Sequence, residues 1–325
     1  PGFAPFFGYI SNEWNKNTSD ENAANYIEYL SRYNYIMQKE SKIDIAVYRH
    51  TYEDNFMKSG GDGEDWFPDD SILNRNGYSY EFVNPDILNL DTATVTNGRL
   101  NENGPAYKAI VIHNEDRMSP DVAQRMIELA NDGMKIVVVG DAPNKLMYYS
   151  EVNEGYTDQD IINAMNTLLQ NPNVKQVSDY DQLSTALTEL NVQPDAQYST
   201  PTDLLAKHQV DDNGDFYYLY NYNRICAEDA NAQLQTAGTG YPGINKDLIT
   251  AKSLDVTLKG EGKPYLLDAW TGEITPIAEY QQNDGSVTLH LDFDKDEAKL
   301  IALLTDQEAI ENGLRSEERR VGKEC

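Results

Sequence analysis

The chain has 325 residues, 40% hydrophobic and 10% aromatic, enough apolar surface for two or three modules and too much for a disordered polymer. Its 54 acidic and 26 basic residues give a formal net charge of −28, which repels phosphate backbones and anionic lipid and so argues against nucleic acid or a membrane surface as partner. No run approaches the about 18 apolar residues of a membrane span. Two cysteines, Cys226 and Cys325, make no disulfide framework, and His50, His113, His208 and His290 lack the spacing of a zinc site.

In chain order, residues 1–20 are aromatic and turn-rich without a period. Ser19 or Asp20 can cap a helix that carries Tyr26, Ile27, Leu30, Tyr33 and Met37 at helical spacing through Lys39. Ile43–Tyr48 and Tyr78–Val83 then predict strands, and Ala109–His113 a strand buried on both faces. Ser119 and Pro120 are an N-cap and first-turn pair for a helix that Gly133 ends, and Ile136–Gly140 is the next strand. This β, β, β-α-β order predicts a doubly wound α/β domain with a parallel sheet. Two helical patterns follow, Asp158–Leu169 and Asp179–Leu190, before Pro194 breaks the chain.

Beyond Pro194 the period drops towards two. The turn Asp211-Asp-Asn-Gly214 before Phe216–Tyr220 is a hairpin signal. Strands are expected at Leu254–Leu258, Pro264–Ala269, Ile274–Tyr280, Val287–Leu291 and Lys299–Leu303, an antiparallel, sandwich-like β-rich module over 196–310. Twenty-two tyrosines against eight phenylalanines suit half-exposed sheet faces or sugar-stacking surfaces. The chain opens on Pro1 with no signal-peptide pattern and closes on a mixed-charge run, Arg315–Cys325. Residues 311–325 are therefore expected to be a foreign or disordered tail, and the chain a fragment.

Several segments resemble one family. IDIAVYRHTYED (43–54), GYSYEFVNPDIL (77–88), the run 106–143 from AYKAIVIHNEDR to VVVGDAP, KHQVDDNGDFYYLYNYN (207–223) and GKPYLLDAWTGEITPIAEY (262–280) look like the post-barrel portion of glycoside hydrolase family 106, the α-L-rhamnosidase-like enzymes. The resemblance spans roughly residues 1–305, with DAWTGEI its strongest piece. It implies that 1–42 is the remnant of the last loop and helix of a (β/α)8 barrel and that 43–195 is a flavodoxin- or class I amidotransferase-like domain. It further implies a secreted bacterial enzyme that hydrolyses glycosidic bonds of plant or microbial oligo- or polysaccharides with inversion. Inversion needs a carboxylic acid and a carboxylate on either side of the scissile bond. The resemblance puts both upstream of Pro1, so no catalytic residue is assigned here, and it leaves room for calcium in the parent enzyme but no cofactor in this chain.

Trp14, with Tyr9, Asn12 and Glu13, is the first candidate substrate contact: in a loop above a barrel it can stack on a sugar ring while its neighbours bind hydroxyls, or it can simply plug the loop. Trp66 beside Asp65 and Pro68 is a second candidate platform. Gly140-Asp-Ala-Pro143 follows a buried strand where amidotransferases place a nucleophile, but it holds no cysteine or serine. Ser59–Gly63 lacks the spacing of a phosphate loop, and Asp292, Asp294 and Asp296 lack the glycine of a calcium loop. Trp270 is expected to fix a turn. The rival to a hydrolase fragment is a non-catalytic carbohydrate-binding or assembly module, with a degenerate amidotransferase-like scaffold behind it.

Overall fold

The computed structural model describes residues 20–49, 72–113, 115–147, 153–221, 250–295 and 297–305. Five short strands, the inner three of nearly continuous apolar sequence, make a parallel sheet in the order Val174–Val177, Lys135–Val139, Ala109–His113, Ile45–Tyr48, Tyr80–Val83. The chain enters at Ile45–Tyr48, steps to one edge and returns past its starting strand. The direction of winding therefore reverses between Ile45–Tyr48 and Ala109–His113.

Alternation along these strands builds two cores. Ala46, Tyr48, Ile110, Ile112, Ile136 and Val138 face the helices Pro120–Asn131 and Asp158–Leu168. Ile45, Val47, Ala109, Val111, Val137 and Val139 face Leu73 and the helix Leu183–Glu189. Pro120 sits in the first turn as expected, but Ser119 caps that helix without a side-chain hydrogen bond, and its Oγ is buried without a partner.

The second half is two antiparallel sheets. Six strands run in the order Glu40–Lys42, Leu204–Asp211, Gly214–Asn221, Ala298–Leu304, Lys263–Leu267, Ile274–Pro276. Four run Ala196–Tyr198, Lys252–Lys259, Ser286–Phe293, Tyr280–Asn283. Their inner faces share one core, in which Tyr217, Leu219, Ile301 and Leu303 of the first meet Val256, Leu258, Leu289 and Phe293 of the second. The single strand expected over Ile274–Tyr280 is two, one in each sheet. Pro276 has no N–H to continue the first ladder, and the chain crosses to the other sheet.

The opening helix spans Asp20–Met37, two residues shorter than its pattern. Residues Glu40–Lys42, read from the sequence as the end of a barrel remnant, form an edge strand against Val210, Gln209 and His208. The helix itself lies on the outer face of the six-stranded sheet: Ile36 joins Phe216, Tyr265, Leu300 and Ala302, and Tyr33 meets Tyr218 edge-on at 5.0 Å.

Candidate functional site

The sugar contacts expected from the sequence, Tyr9, Asn12, Glu13, Trp14 and Trp66, all lie outside the described residues, as does Ser59–Gly63. Asp296 does too. Asp292 accepts from Ser253 Oγ at 2.6 Å, and the backbone N–H of Asp294 donates to Glu297 at 2.7 Å. Among the described residues no group of three metal-ligating side chains occurs.

Ligands of open α/β sheets sit beyond the carboxyl ends of the strands where the winding reverses. Here those ends deliver Tyr48 and Arg49 from one strand and His113, followed by Glu115, from its neighbour. Arg49 and Glu115 are buried, with Nη1 4.0 Å from Oε1, and the guanidinium lies 5.0 Å from the Phe82 ring centre. His113 is buried against Tyr180. Burial, and then the charge of Arg49, push its imidazole down to about 4. At neutral pH it is an uncharged proton acceptor or hydrogen-bond donor.

The turn after the next strand offers it no cysteine or serine. Gly140, at φ 80°, follows the strand Lys135–Val139, and its N–H and carbonyl are taken by the Val177 carbonyl and the Gln176 side chain. The elbow turns the chain and carries no cysteine or serine. A titration of the His113 ring protons by NMR is expected to give a midpoint near 4. A midpoint at the ordinary value near 6.5 would mean the crevice is wet.

The most extensive polar constellation among the described residues lies where the two halves meet. Asp44, inside the apolar run Ile43–Tyr48, is buried and accepts from Lys108 Nζ at 2.6 Å, Ser79 N at 2.9 Å and the Asp195 backbone N–H at 3.1 Å. Lys108 also reaches Asp195 at 2.6 Å. The second oxygen of Asp195 meets His208 Nδ1 at 2.9 Å, and His208 Nε2 meets Asp215 at 2.7 Å. The imidazole stacks on Tyr217 at 4.3 Å, its plane nearly parallel to the phenol ring.

Burial alone would push His208 down. The hydrogen bonds to Asp195 and Asp215 outweigh it and hold the imidazolium above its ordinary range. Burial would likewise raise Asp195, but His208 and Lys108 keep it well below the usual carboxylate range. The chain of charges runs from the parallel sheet (Asp44, Lys108) into the antiparallel sheets (His208, Asp215) through the connecting residue Asp195. Its partners are far apart in sequence and form no motif. The one legible signal was Asp44 itself, a charge inside the apolar run Ile43–Tyr48, which must find a cation when buried.

A third feature is aromatic. Tyr26, Tyr29 and Tyr33 stack along one face of the opening helix, and Trp270 lies on Tyr29 at 4.1 Å. The turn expected at Trp270 is present. Asp268 accepts from the N–H groups of Trp270 and Thr271, and Arg32 donates to the carbonyls of Ala269 and Trp270. The indole nevertheless remains 60% exposed, a rigidly held ring with an open face.

Against known proteins, the model of a family described as alpha-L-rhamnosidase, glycoside hydrolase family 106, matches residues 1–240. No curated protein matches significantly. Among solved structures, a rhamnosidase from Novosphingobium sp. PP1Y superposes with a TM-score of 0.60 at 18% identity, covering 86% of this chain and 24% of that one. An alpha-L-fucosidase isoenzyme 2 from Paenibacillus thiaminolyticus superposes with a TM-score of 0.50 at 9% identity, over 86% of this chain and 51% of its own. These identities speak to the fold alone, and the chain spans about a quarter of the rhamnosidase's length. The family match, by contrast, covers most of the chain: this protein belongs to glycoside hydrolase family 106.

Proposed function

We propose that this chain is the companion region of a longer, secreted bacterial α-L-rhamnosidase-like enzyme that hydrolyses glycosidic bonds of oligo- or polysaccharides with inversion, its catalytic carboxylates lying upstream. The observation that carries the reading is the family match over residues 1–240, in a chain that spans 24% of the rhamnosidase it superposes on. The crevice supports it from the other side: an uncharged His113 and a buried Arg49–Glu115 pair, with no cysteine or serine in the turn at Gly140, suit packing better than catalysis.

In this reading residues 43–195 are a flavodoxin- or amidotransferase-like scaffold. The support is a five-stranded parallel sheet whose second, first, third, fourth and fifth strands follow one another across it. Residues 196–310 are a β-sandwich, supported by the core that the two antiparallel sheets share. The opening helix belongs to the barrel and is clamped by the outer face of the six-stranded sheet. A glycan is the proposed partner. Nucleic acid and anionic membrane are not, because a net charge of −28 opposes both, and no described helix is long and apolar enough to cross a membrane.

The test is stereochemical. The longer enzyme is incubated with an aryl α-L-rhamnoside and the first-formed sugar is followed by proton NMR. Initial release of the β-anomer is expected. Initial release of the α-anomer, or no release of rhamnose, would refute the assignment.

A further inference from the structure

A cleft of about 570 Å³ opens between the two halves, on the side opposite the His113 crevice, where the strands of the parallel sheet begin. Its walls are two hairpin turns, Asn97-Gly98 and Asp284-Gly285, and the connecting segment Leu190–Asp195. In a chain with about twice as many acidic as basic residues, Arg99, Lys108, Lys135 and Lys259 all line this one cavity, against Asp195 and Asp284.

The four cations are not equivalent. Lys108 is held between Asp44 and Asp195, and Lys135 donates to the Asn173 side chain. Lys259 lies 3.4 Å from Asp195, whose oxygen it shares with Lys108. The Arg99 side chain makes no hydrogen bond or ion pair among the described residues, although the residue is half-buried at the end of the tight Asn97-Gly98 turn. Burial first, and then the positive charges of Lys108 and Arg99, hold the Lys259 ammonium below its ordinary range despite Asp195. The guanidinium and the ammonium line the same cleft, two like charges that oppose one another. An anion placed between them would relieve that opposition.

The rest of the lining selects the carrier of that anion. No aromatic ring lines the cleft, so it offers nothing for a neutral sugar to stack on. Asn191, Gln193 and Gln197 supply amide groups of the kind that bind hydroxyls. Planar bidentate recognition of a carboxylate is the task for which a free guanidinium is best suited.

We infer that this cleft binds the carboxylate of an acidic saccharide, with Arg99 as the bidentate partner and Lys259 as the second charge. The choice of a saccharide as carrier rests on the glycoside hydrolase reading, whereas the anion site rests on the cleft alone. Because the readout below is binding to this chain, its outcome is independent of whether the longer enzyme releases rhamnose.

The 325-residue chain is titrated calorimetrically with trigalacturonate, with an uncharged trisaccharide of the same length, and with inorganic phosphate. Trigalacturonate is expected to bind, more weakly as salt is raised, and the neutral trisaccharide is not. Arg99→Gln is expected to weaken binding at least about tenfold, the loss of one charge-assisted pair, with its urea midpoint unchanged. Lys135→Gln, at the far wall, is the second variant and is expected to have a smaller effect. Equal binding of the neutral trisaccharide, an unchanged affinity in Arg99→Gln, or no heat with trigalacturonate would overturn the proposal. Phosphate binding as tightly as trigalacturonate would overturn the saccharide part and leave a plain anion site.

Discussion

Asp195→Ala is expected to be among the most damaging single substitutions in the described structure, costing about 3–5 kcal/mol of unfolding free energy. The carboxylate is buried and accepts from Lys108 and His208 while Lys259 lies at 3.4 Å, so its removal strands charges that cannot reach water without opening the junction. Asp195→Asn keeps an acceptor for Lys108 and should lose less. The same network gives stability a definite pH dependence. His208 is raised in the folded state, so its contribution is complete below about 6.5, the ordinary histidine value, and is lost as pH rises through the higher folded value. Asp195 is lowered, so its contribution is present above the ordinary carboxylate range and is lost only on strong acidification. Urea unfolding of wild type between pH 5 and 9 should show a fall on the alkaline side that His208→Gln removes. If Asp195→Ala unfolds at the wild-type urea concentration, the network does not join the halves.

Gly77→Ala is the second expected large effect, about 2–5 kcal/mol. Gly77 adopts φ +87°, a left-handed conformation that costs an L-residue about 1–2 kcal/mol. A methyl group there would also stand 1.8 Å from the Ala196 carbonyl oxygen, a backbone atom that cannot rotate away, adding an overpacking cost of about 1–3 kcal/mol. Gly155 is the control: at φ +86° with nothing within 4 Å of an added methyl, its alanine variant should lose only the conformational part. Equal urea midpoints for the two variants would show that residues 77 and 196 are not in close contact. Gly77 and Asp195 test the same seam, where Tyr78 Oη also donates to the Val192 carbonyl at 2.8 Å and Thr202 N to the Arg75 carbonyl at 2.9 Å.

The parallel sheet was legible because its inner strands are apolar on both faces. Ala109–His113 appears with the bounds its sequence predicts, and Ile43–Tyr48 loses only its first two residues, where Asp44 turns to the seam. The edge strand Val174–Val177 was not legible: only Val174 is buried, and Lys175 and Gln176 break the run. Leu204–Asp211 was signalled only by the hairpin turn that follows it. Its centre is Lys207, His208 and Gln209, three polar residues with no apolar alternation. Helical spacing located the opening helix but not its neighbour, because Tyr29, Tyr33 and Ile36 on one face and Ile27 and Leu30 on another are equally apolar.

Sites were less legible than strands. The buried charges belong to residues from 44 to 215, and nothing in the spacing between Asp44, Lys108, Asp195 and His208 announces that strand pairing and the turn at Gly77 bring them together. Family 106 membership was legible because it rests on many diffuse matches, most of them within the residues 1–240 that the family model covers. DAWTGEI lies beyond that span, and in it Asp268 fixes the turn while Trp270 stands open on Tyr29.

The central claim is that this chain supports a rhamnosidase without being one, and hydrolysis by the folded chain on its own tests it most directly. With near-ultraviolet circular dichroism confirming a packed protein, the chain is incubated with an aryl α-L-rhamnoside beside the longer enzyme. No release of rhamnose by the chain and rapid release by the longer enzyme are expected. Turnover by the chain alone, abolished by Glu115→Gln, would place the chemistry in the crevice beside His113 and contradict the account.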